Sequence, residues 1–210
     1  MKKLLLVDDH EVVRDGIKRI LADQPETIHF GEASSASEAS ILVASEEWDL
    51  AVLDLSLDGR SGLELLKQFK QIRPRLPVLV LSMHSEEQYA RRAFRAGAAG
   101  YITKDSPRAE LIRAVNKVIE GGRYFSPEVA EMLVADLERG SGGPPHEVLS
   151  DREFEVMCLI ASGKTVGGIA NLLSLSDKTI STYRARILEK TGMRNNAELT
   201  HYVIQHKLIG

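Results

Sequence analysis

Short apolar runs alternate with amphipathic stretches through the first 120 residues, and this pattern leaves few folds open to the chain. The runs fall at residues 4–7, 29–33, 50–54, 78–82 and 100–103. Between them, apolar residues recur at helical spacing: Val13, Ile17, Ile20 and Leu21; Leu65, Phe69 and Ile72; Leu111, Val115, Val118 and Ile119. A strand that is apolar on both faces must be covered on both, and helices inserted between strands supply that cover. The reading is α/β: a five-stranded, doubly wound parallel sheet over residues 1–122.

Residues 123–146 read as a connection. Ser126-Pro127 can cap and open a further helix to about residue 138, and Gly140-Ser141-Gly142-Gly143-Pro144-Pro145 follows it. Beyond this point the pattern becomes wholly helical. Residues 147–210 predict four helices, at 151–162, 166–173, 177–191 and 196–206. Ser150, Thr165 and Ser176 stand at N-cap positions, with Gly163 and Gly192 as C-terminal stops. Leu159, Ile160, Ile169, Leu172, Ile180 and Ile187 are the expected core of this second, all-α domain.

Several classes of function fall away. A single cysteine, Cys158, excludes an internal disulfide and a cysteine-based zinc site, and it reads as a buried small hydrophobe. The six histidines show no ligand spacing and read as structural or surface residues. No apolar run reaches the ~20 residues of a membrane span, and the run after Met1 is too short for a secretory signal. A cytoplasmic chain with no membrane partner is expected. Ser162-Gly163-Lys164-Thr165 ends like a phosphate-binding loop, but Cys158 stands where that loop needs its first glycine.

The net charge of −3 argues against nucleic acid, but its distribution says otherwise. Residues 1–125 carry 18 basic and 19 acidic groups, residues 126–146 carry 1 and 4, and residues 147–210 carry 8 and 7. The helix expected at 177–191 holds 4 basic groups against 2 acidic ones. The net negative charge is mostly in the connection, and the basic excess of the last segment is gathered on one helix.

In open parallel sheets, ligands bind beyond the carboxyl ends of the strands. Asp8 and Asp9 follow the first strand, Asp54 closes the third, Ser82 the fourth, and Lys104 follows the fifth. Three carboxylates at one edge call for a divalent cation, and an oxygen donor set with no His or Cys nearby suits Mg²⁺ or Mn²⁺. A lysine and a hydroxyl beside a metal-held carboxylate suit a phosphoryl group. Transfer of that group onto an aspartate is the chemistry that fits, with Asp54 as acceptor.

Leu-Val-Asp8-Asp9-His, Leu-Asp54-Leu-Ser-Leu-Asp-Gly-Arg-Ser-Gly-Leu, Val-Leu-Ser82 and Gly-Tyr101-Ile-Thr-Lys104 together resemble the receiver domain of bacterial response regulators. The resemblance implies Asp54 as phospho-acceptor. It implies Asp9, the Asp54 carboxylate and the Ser56 carbonyl as metal ligands, with Asp8 acting through water. It further implies Ser82 and Tyr101 as a switch pair and Lys104 as the phosphate-binding lysine. Asp105 departs from the pattern, since many receivers carry proline there. A haloacid-dehalogenase-type phosphatase also uses a nucleophilic aspartate, but it needs a second Asp at position 56, which here is Ser56.

Residues 171–190 read as a helix–turn–helix. Ile180, Ile187 and Leu188 share one face of its second helix, and Lys178, Ser181, Thr182, Ala185, Arg186 and Glu189 share the other. Small residues permit close approach to bases, while Lys178 and Arg186 reach phosphates or guanine edges. From Leu149-Ser-Asp-Arg-Glu153 to Ile209 the domain resembles the LuxR-type helix–turn–helix of the NarL/FixJ regulators. That resemblance implies a DNA surface including Lys178, Thr179, Thr182, Tyr183, Arg186 and Lys190. Gly167-Gly168 departs from the family's usual polar start to the scaffold helix, and each glycine costs a helix interior about 1 kcal/mol relative to alanine.

The whole then reads as a DNA-binding transcriptional response regulator of a two-component system, and not as an enzyme. Its expected partners are a sensor histidine kinase, double-stranded promoter DNA, RNA polymerase and a second copy of the chain. Phosphorylation is expected to turn Ser82 and Lys104 toward Asp54 and to shift Tyr101 inward.

Overall fold

The computed structural model describes residues 1–210 except 23, 25–26, 58–59, 84–85, 128, 132–133, 135–143, 207 and 210. The chain divides into two compact units, Met1–Ala130 and Glu131–Gly210.

In the first unit, strands β1 (Lys2–Val7), β2 (Ile28–Ala33), β3 (Leu50–Leu53), β4 (Val78–Ser82) and β5 (Gly100–Thr103) form one parallel sheet. Their order is β2-β1-β3-β4-β5. Helices α1 (Glu11–Ala22), α2 (Ala36–Ser45), α3 (Gly62–Ile72), α4 (Glu86–Arg95) and α5 (Arg108–Ile119) connect and cover it. Leu4, Leu6, Leu50, Val52, Leu79, Leu81 and Ile102 point to one face of the sheet. There they meet Ile17 and Leu21 of α1 and Leu111, Val115 and Val118 of α5. The alternate residues Leu5, Val7, Ala51, Leu53, Val78, Val80 and Tyr101 are equally buried on the opposite face. Double-sided burial is why these runs are apolar throughout, as a parallel sheet requires.

Register brings the strand ends level: Val7 pairs with Ala33 and with Leu53, Leu53 with Val80, and Ser82 with Thr103. The first strand begins at Lys2 rather than Leu4, because Lys2 and Lys3 pair with Ile28 and His29. The third ends at Leu53, and Asp54 stands just outside it with its N–H still donating to Val7 O at 2.9 Å. A short antiparallel ribbon, Ser56–Leu57 against Arg60–Ser61, leads from Asp54 into α3. Gly62 opens that helix, where a Cβ would lie 2.7 Å from Asp54 O and against the Leu55 backbone. Only glycine fits this approach.

The helix expected at 127–138 lies largely outside the described residues; Pro127, Val129–Glu131 and Val134 are helical. A 3₁₀ turn, Pro145–Val148, precedes four helices: α6 (Asp151–Ala161), α7 (Val166–Leu172), α8 (Asp177–Thr191) and α9 (Asn196–Gln205). Ser150, Thr165, Ser176 and Asn195 each cap one of them by accepting a backbone N–H with the side chain. Gly192 closes α8 in the left-handed region, φ 72°. Ser162, Leu173 and His206, expected inside their helices, are instead the C-caps.

The core of this second unit differs from expectation at two positions. Leu172 is 49% exposed and its neighbour Leu173 is buried, while Leu159 is half-buried. Leu173 sits at the C-cap, where the chain turns through Ser174 (φ 52°) and Leu175 N–H returns to Ala170 O. That turn swings the side chain inward. Phe154, Val156, Met157, Ile160, Ile169, Ile180, Ile187, Leu199 and Val203 complete the core. Cys158 is buried, as expected of a small hydrophobe. No described helix is long and apolar enough to cross a membrane.

Candidate functional site

The β1/β3 crevice lies where the strand order reverses, the place where a doubly wound sheet leaves room for a ligand. Asp8 and Asp9 extend β1 into it, Asp54 extends β3, Ser82 ends β4, and Lys104 follows β5. Ladder-like bonds hold the loops in register past the strand ends: Asp8 N–H to Ala33 O, Asp54 N–H to Val7 O, and Lys104 N–H to Ser82 O at 2.8 Å.

Asp8 and Asp54 are nearly fully buried, at 3% and 2% exposure, and Ser82 and Tyr101 are fully buried. Lys104 Nζ lies 2.7 Å from Asp54 Oδ2 and 2.7 Å from Asp8 Oδ2. The exposed Ser56 donates its backbone N–H to Asp54 Oδ1 at 3.1 Å. Asp8, Asp54, Ser56 and Lys104 are thus brought together, from positions as far apart as 8 and 104. Tyr101 is buried and Lys104 rests directly on Asp54 in this structure.

Burial pushes the Asp54 carboxyl above its ordinary range, more than the Lys104 hydrogen bond and charge pull it down. For Lys104, burial acts downward, but hydrogen bonds and charge from Asp54 and Asp8 outweigh it, and its pKa is raised. Asp8 Oδ2 and Asp9 Oδ1 are buried, the first 2.7 Å from Lys104 Nζ and the second 2.7 Å from His10 Nδ1. Buried anionic oxygens gathered at one edge in this way fit a cation.

One expectation is corrected here. The donor set is not free of histidine: His10 Nδ1 lies 2.7 Å from Asp9 Oδ1 and 3.3 Å from Asp8 Oδ1. Single donor atoms of Asp8, Asp9, His10 and Asp54 fall within 4.8 Å of one another. The imidazole's pKa is raised, chiefly by the charge of Asp9. His10 directly follows Asp9 in the sequence, and what the structure adds is the orientation that sets Nδ1 against the carboxylates.

The second unit presents α8. Ile180 and Ile187 are fully buried, and Lys178, Ser181, Thr182, Ala185 and Arg186 are exposed on the opposite side. Thr179 and Tyr183 are half-buried between the two faces. Thr182 Oγ1 donates back to Lys178 O at 2.9 Å, and the Thr179 and Ser176 hydroxyls are 2.8 Å apart. Lys190 is differently engaged, donating to Glu153 Oε2 at 2.7 Å.

That contact explains the Leu149-Ser-Asp-Arg-Glu opening. Leu149 is buried. Ser150 and Glu153 form a reciprocal capping box. Arg152 donates to Leu173 O at 3.1 Å and so reaches the end of α7. Glu153 takes Lys190 at the last turn of α8. The motif is a clamp that sets α7 and α8 against α6. A histidine also takes part in this unit: His146 Nδ1 is 2.7 Å from Tyr202 Oη, and the Tyr202 ring stacks on His206.

Residues 4–116 match the response regulator receiver domain, and residues 147–203 match the luxR family of bacterial regulatory proteins. Response regulator UvrY of Escherichia coli strain K12 is 35% identical over 209 residues, covering 99% of this chain and 96% of that protein. Response regulator GacA of Pseudomonas aeruginosa is 34% identical over 210 residues, covering 100% and 98%. Among solved structures, RcsB of Salmonella enterica serovar Typhimurium, bound to promoter rprA with the phosphomimetic BeF3−, aligns over 97% of this chain and 98% of its own. Its TM-score is 0.65 at 26% identity.

Proposed function

The chain belongs to the bacterial response regulators, pairing a receiver with a LuxR-type DNA-binding domain, and on that premise we propose that phosphoryl transfer to Asp54 controls its hold on double-stranded promoter DNA. In this reading residues 1–122 are the receiver, 147–210 the output, and 123–146 the connection.

The observation that supports it most is the double contact of Lys104 Nζ with Asp54 and Asp8, at the crevice where β1 and β3 end. A carboxylate oxygen of Asp54 attacks the phosphorus of a phosphohistidine on a sensor kinase. The P–O bond forms as the P–N bond breaks, and the histidine leaves with the electron pair. Burial raises the basicity of Asp54, while the Ser56 N–H on Oδ1 keeps the carboxylate oriented. Lys104 and the Ser82 hydroxyl would then bind the phosphoryl oxygens, with Tyr101 packed behind them. Asp9, Asp54 and the Ser56 carbonyl would hold Mg²⁺, or Mn²⁺ in its place, with Asp8 acting through water. When bound, such an ion would neutralise charge on the phosphoryl oxygens.

On the output side, Lys178, Thr179, Ser181, Thr182, Tyr183 and Arg186 are the proposed DNA surface. Lys190 joins them only if it leaves Glu153. RcsB has been solved as dimers on DNA, and a dimer here would set two recognition helices about one DNA turn apart. Promoter-bound protein would act through RNA polymerase in the cytoplasm.

Incubation with acetyl phosphate and Mg²⁺ should add one phosphoryl group by intact mass, and Asp54→Asn should abolish it. A phosphoryl group retained by that variant overturns the assignment.

A further inference from the structure

We propose that His10 adds a nitrogen donor to the acidic cluster and thereby tilts its cation preference from Mg²⁺ toward Mn²⁺ and the later first-row dications. This rests on the reading of Asp9 and Asp54 as metal ligands, which assigns no role to the residue that follows Asp9.

Four observations converge on His10. Its Nδ1 is the atom turned to the carboxylates, 2.7 Å from Asp9 Oδ1 and 3.3 Å from Asp8 Oδ1. The backbone is fixed there: His10 N–H donates to Asp8 Oδ1 at 2.9 Å, and His10 O accepts from Val13 and Arg14 as α1 begins. Donor atoms of Asp8, Asp9, His10 and Asp54 span at most 4.8 Å. Opposite ligands of a six-coordinate ion with bonds of about 2.1 Å stand roughly 4.2 Å apart, so a small side-chain adjustment closes the set. The fourth is the burial of Asp9 Oδ1, the carboxylate oxygen that faces the His10 ring.

Charge and donor type then select the ion. Three carboxylates against one lysine leave two negative charges, which a dication balances. Mg²⁺ takes oxygen and keeps its waters, whereas imidazole suits the borderline transition metals. The His10 side chain is 66% exposed, so it can turn onto an ion without disturbing the core.

The test uses the full chain titrated with Mn²⁺ by electron paramagnetic resonance, with Mg²⁺ as competitor, in wild type, His10→Ala and His10→Phe. Pulsed measurements on the wild-type Mn²⁺ form should show coupling to a directly bound ¹⁴N nucleus, lost in both variants. The ratio of Mg²⁺ to Mn²⁺ Kd should fall about tenfold on losing the imidazole, with Mg²⁺ affinity itself little changed. Absence of ¹⁴N coupling in wild type, or a ratio unchanged in the variants, overturns the inference. Asp9→Asn and Asp54→Asn separate the two levels. If they abolish Mn²⁺ binding while no ¹⁴N coupling appears, only the role of His10 fails; if Mn²⁺ binds undiminished in both, the metal site itself fails with it.

Discussion

Asp54 is held at a cost. Its folded pKa lies above the ordinary carboxylate value because burial opposes its charge, so ionisation on going to neutral pH destabilises the receiver. The penalty grows as pH rises through the ordinary carboxylate range and levels off above the raised value. An amide of the same shape removes it. Asp54→Asn, melted in EDTA at pH 7, should therefore be more stable than wild type by about 1 kcal/mol, or roughly 4 °C for a unit of this size. A lower melting temperature would mean that the Lys104 contact outweighs the burial of charge. Glu153 runs the opposite way. Burial acts to raise its pKa, but hydrogen bonds from Lys190 and Ser150 prevail, and the net shift is downward. Such a group stabilises the fold above its unfolded pKa, and that contribution is lost as pH falls through the folded one. Glu153→Gln should flatten the acid-side loss of stability of residues 147–205 between pH 5 and 3, as followed by thermal melts across pH. An unchanged slope counts against the clamp. Both residues stood in motifs that the sequence displayed, yet only Asp54 disclosed its chemistry there. Glu153 looked like a family signature, because its partner lies 37 positions away and no periodicity links the two.

Elements were legible wherever one face of a strand or helix had a single fate. The five strands could be read because both of their faces are buried, and α8 because its faces differ so sharply. What escaped were positions set by a turn rather than by a period. Leu172 fits the helical spacing of a core residue, but the chain leaves the helix one residue later and buries Leu173 instead. His10 stands beside Asp9 in the sequence, but which way its ring turns is set by the loop and no sequence pattern states it. Gly167 and Gly168 show how far structure refines a sequence-level doubt. Thr165 Oγ1 accepts Gly168 N–H at 3.1 Å, and a Cβ on Gly168 would lie only 3.2 Å from that oxygen. On Gly167 a Cβ would meet nothing nearer than Asp177 Oδ2 at 3.8 Å. Gly167→Ala should stabilise the second unit by about 1 kcal/mol, while Gly168→Ala should gain less or nothing. Chemical denaturation of the two variants decides it, and equal gains would mean that the cap imposes no constraint.

For the whole molecule, the net charge misleads because it sums units with separate tasks. DNA affinity should depend on the exposed face of α8 rather than on the total. Lys178→Ala or Arg186→Ala should each weaken promoter binding by about 1–3 kcal/mol if it reads a base. A phosphate contact would instead lower the salt slope of binding by about one unit on the same substitution. Titrations at several salt concentrations distinguish the two, and no loss in either variant removes α8 from the interface. Phosphorylation should couple to this binding. Allosteric couplings usually run to 1–3 kcal/mol, so acetyl phosphate should tighten promoter DNA binding about tenfold in wild type and not in Asp54→Asn. Equal tightening in both would assign the receiver a role independent of Asp54.

The parallel sheet also sets when the protein acquires its chemistry. Asp8 and Asp54 precede in the chain the cation that both contact, Lys104, which lies beyond the last strand. A nascent chain shorter than this has both aspartates but no lysine to compensate them. Parallel strands pair only after long crossovers have closed, so this edge belongs to the slowly assembled part of the receiver. Products ending before Lys104 therefore carry the proposed acceptor without its lysine, and a receiver truncated there should take up no phosphoryl group from acetyl phosphate by intact mass.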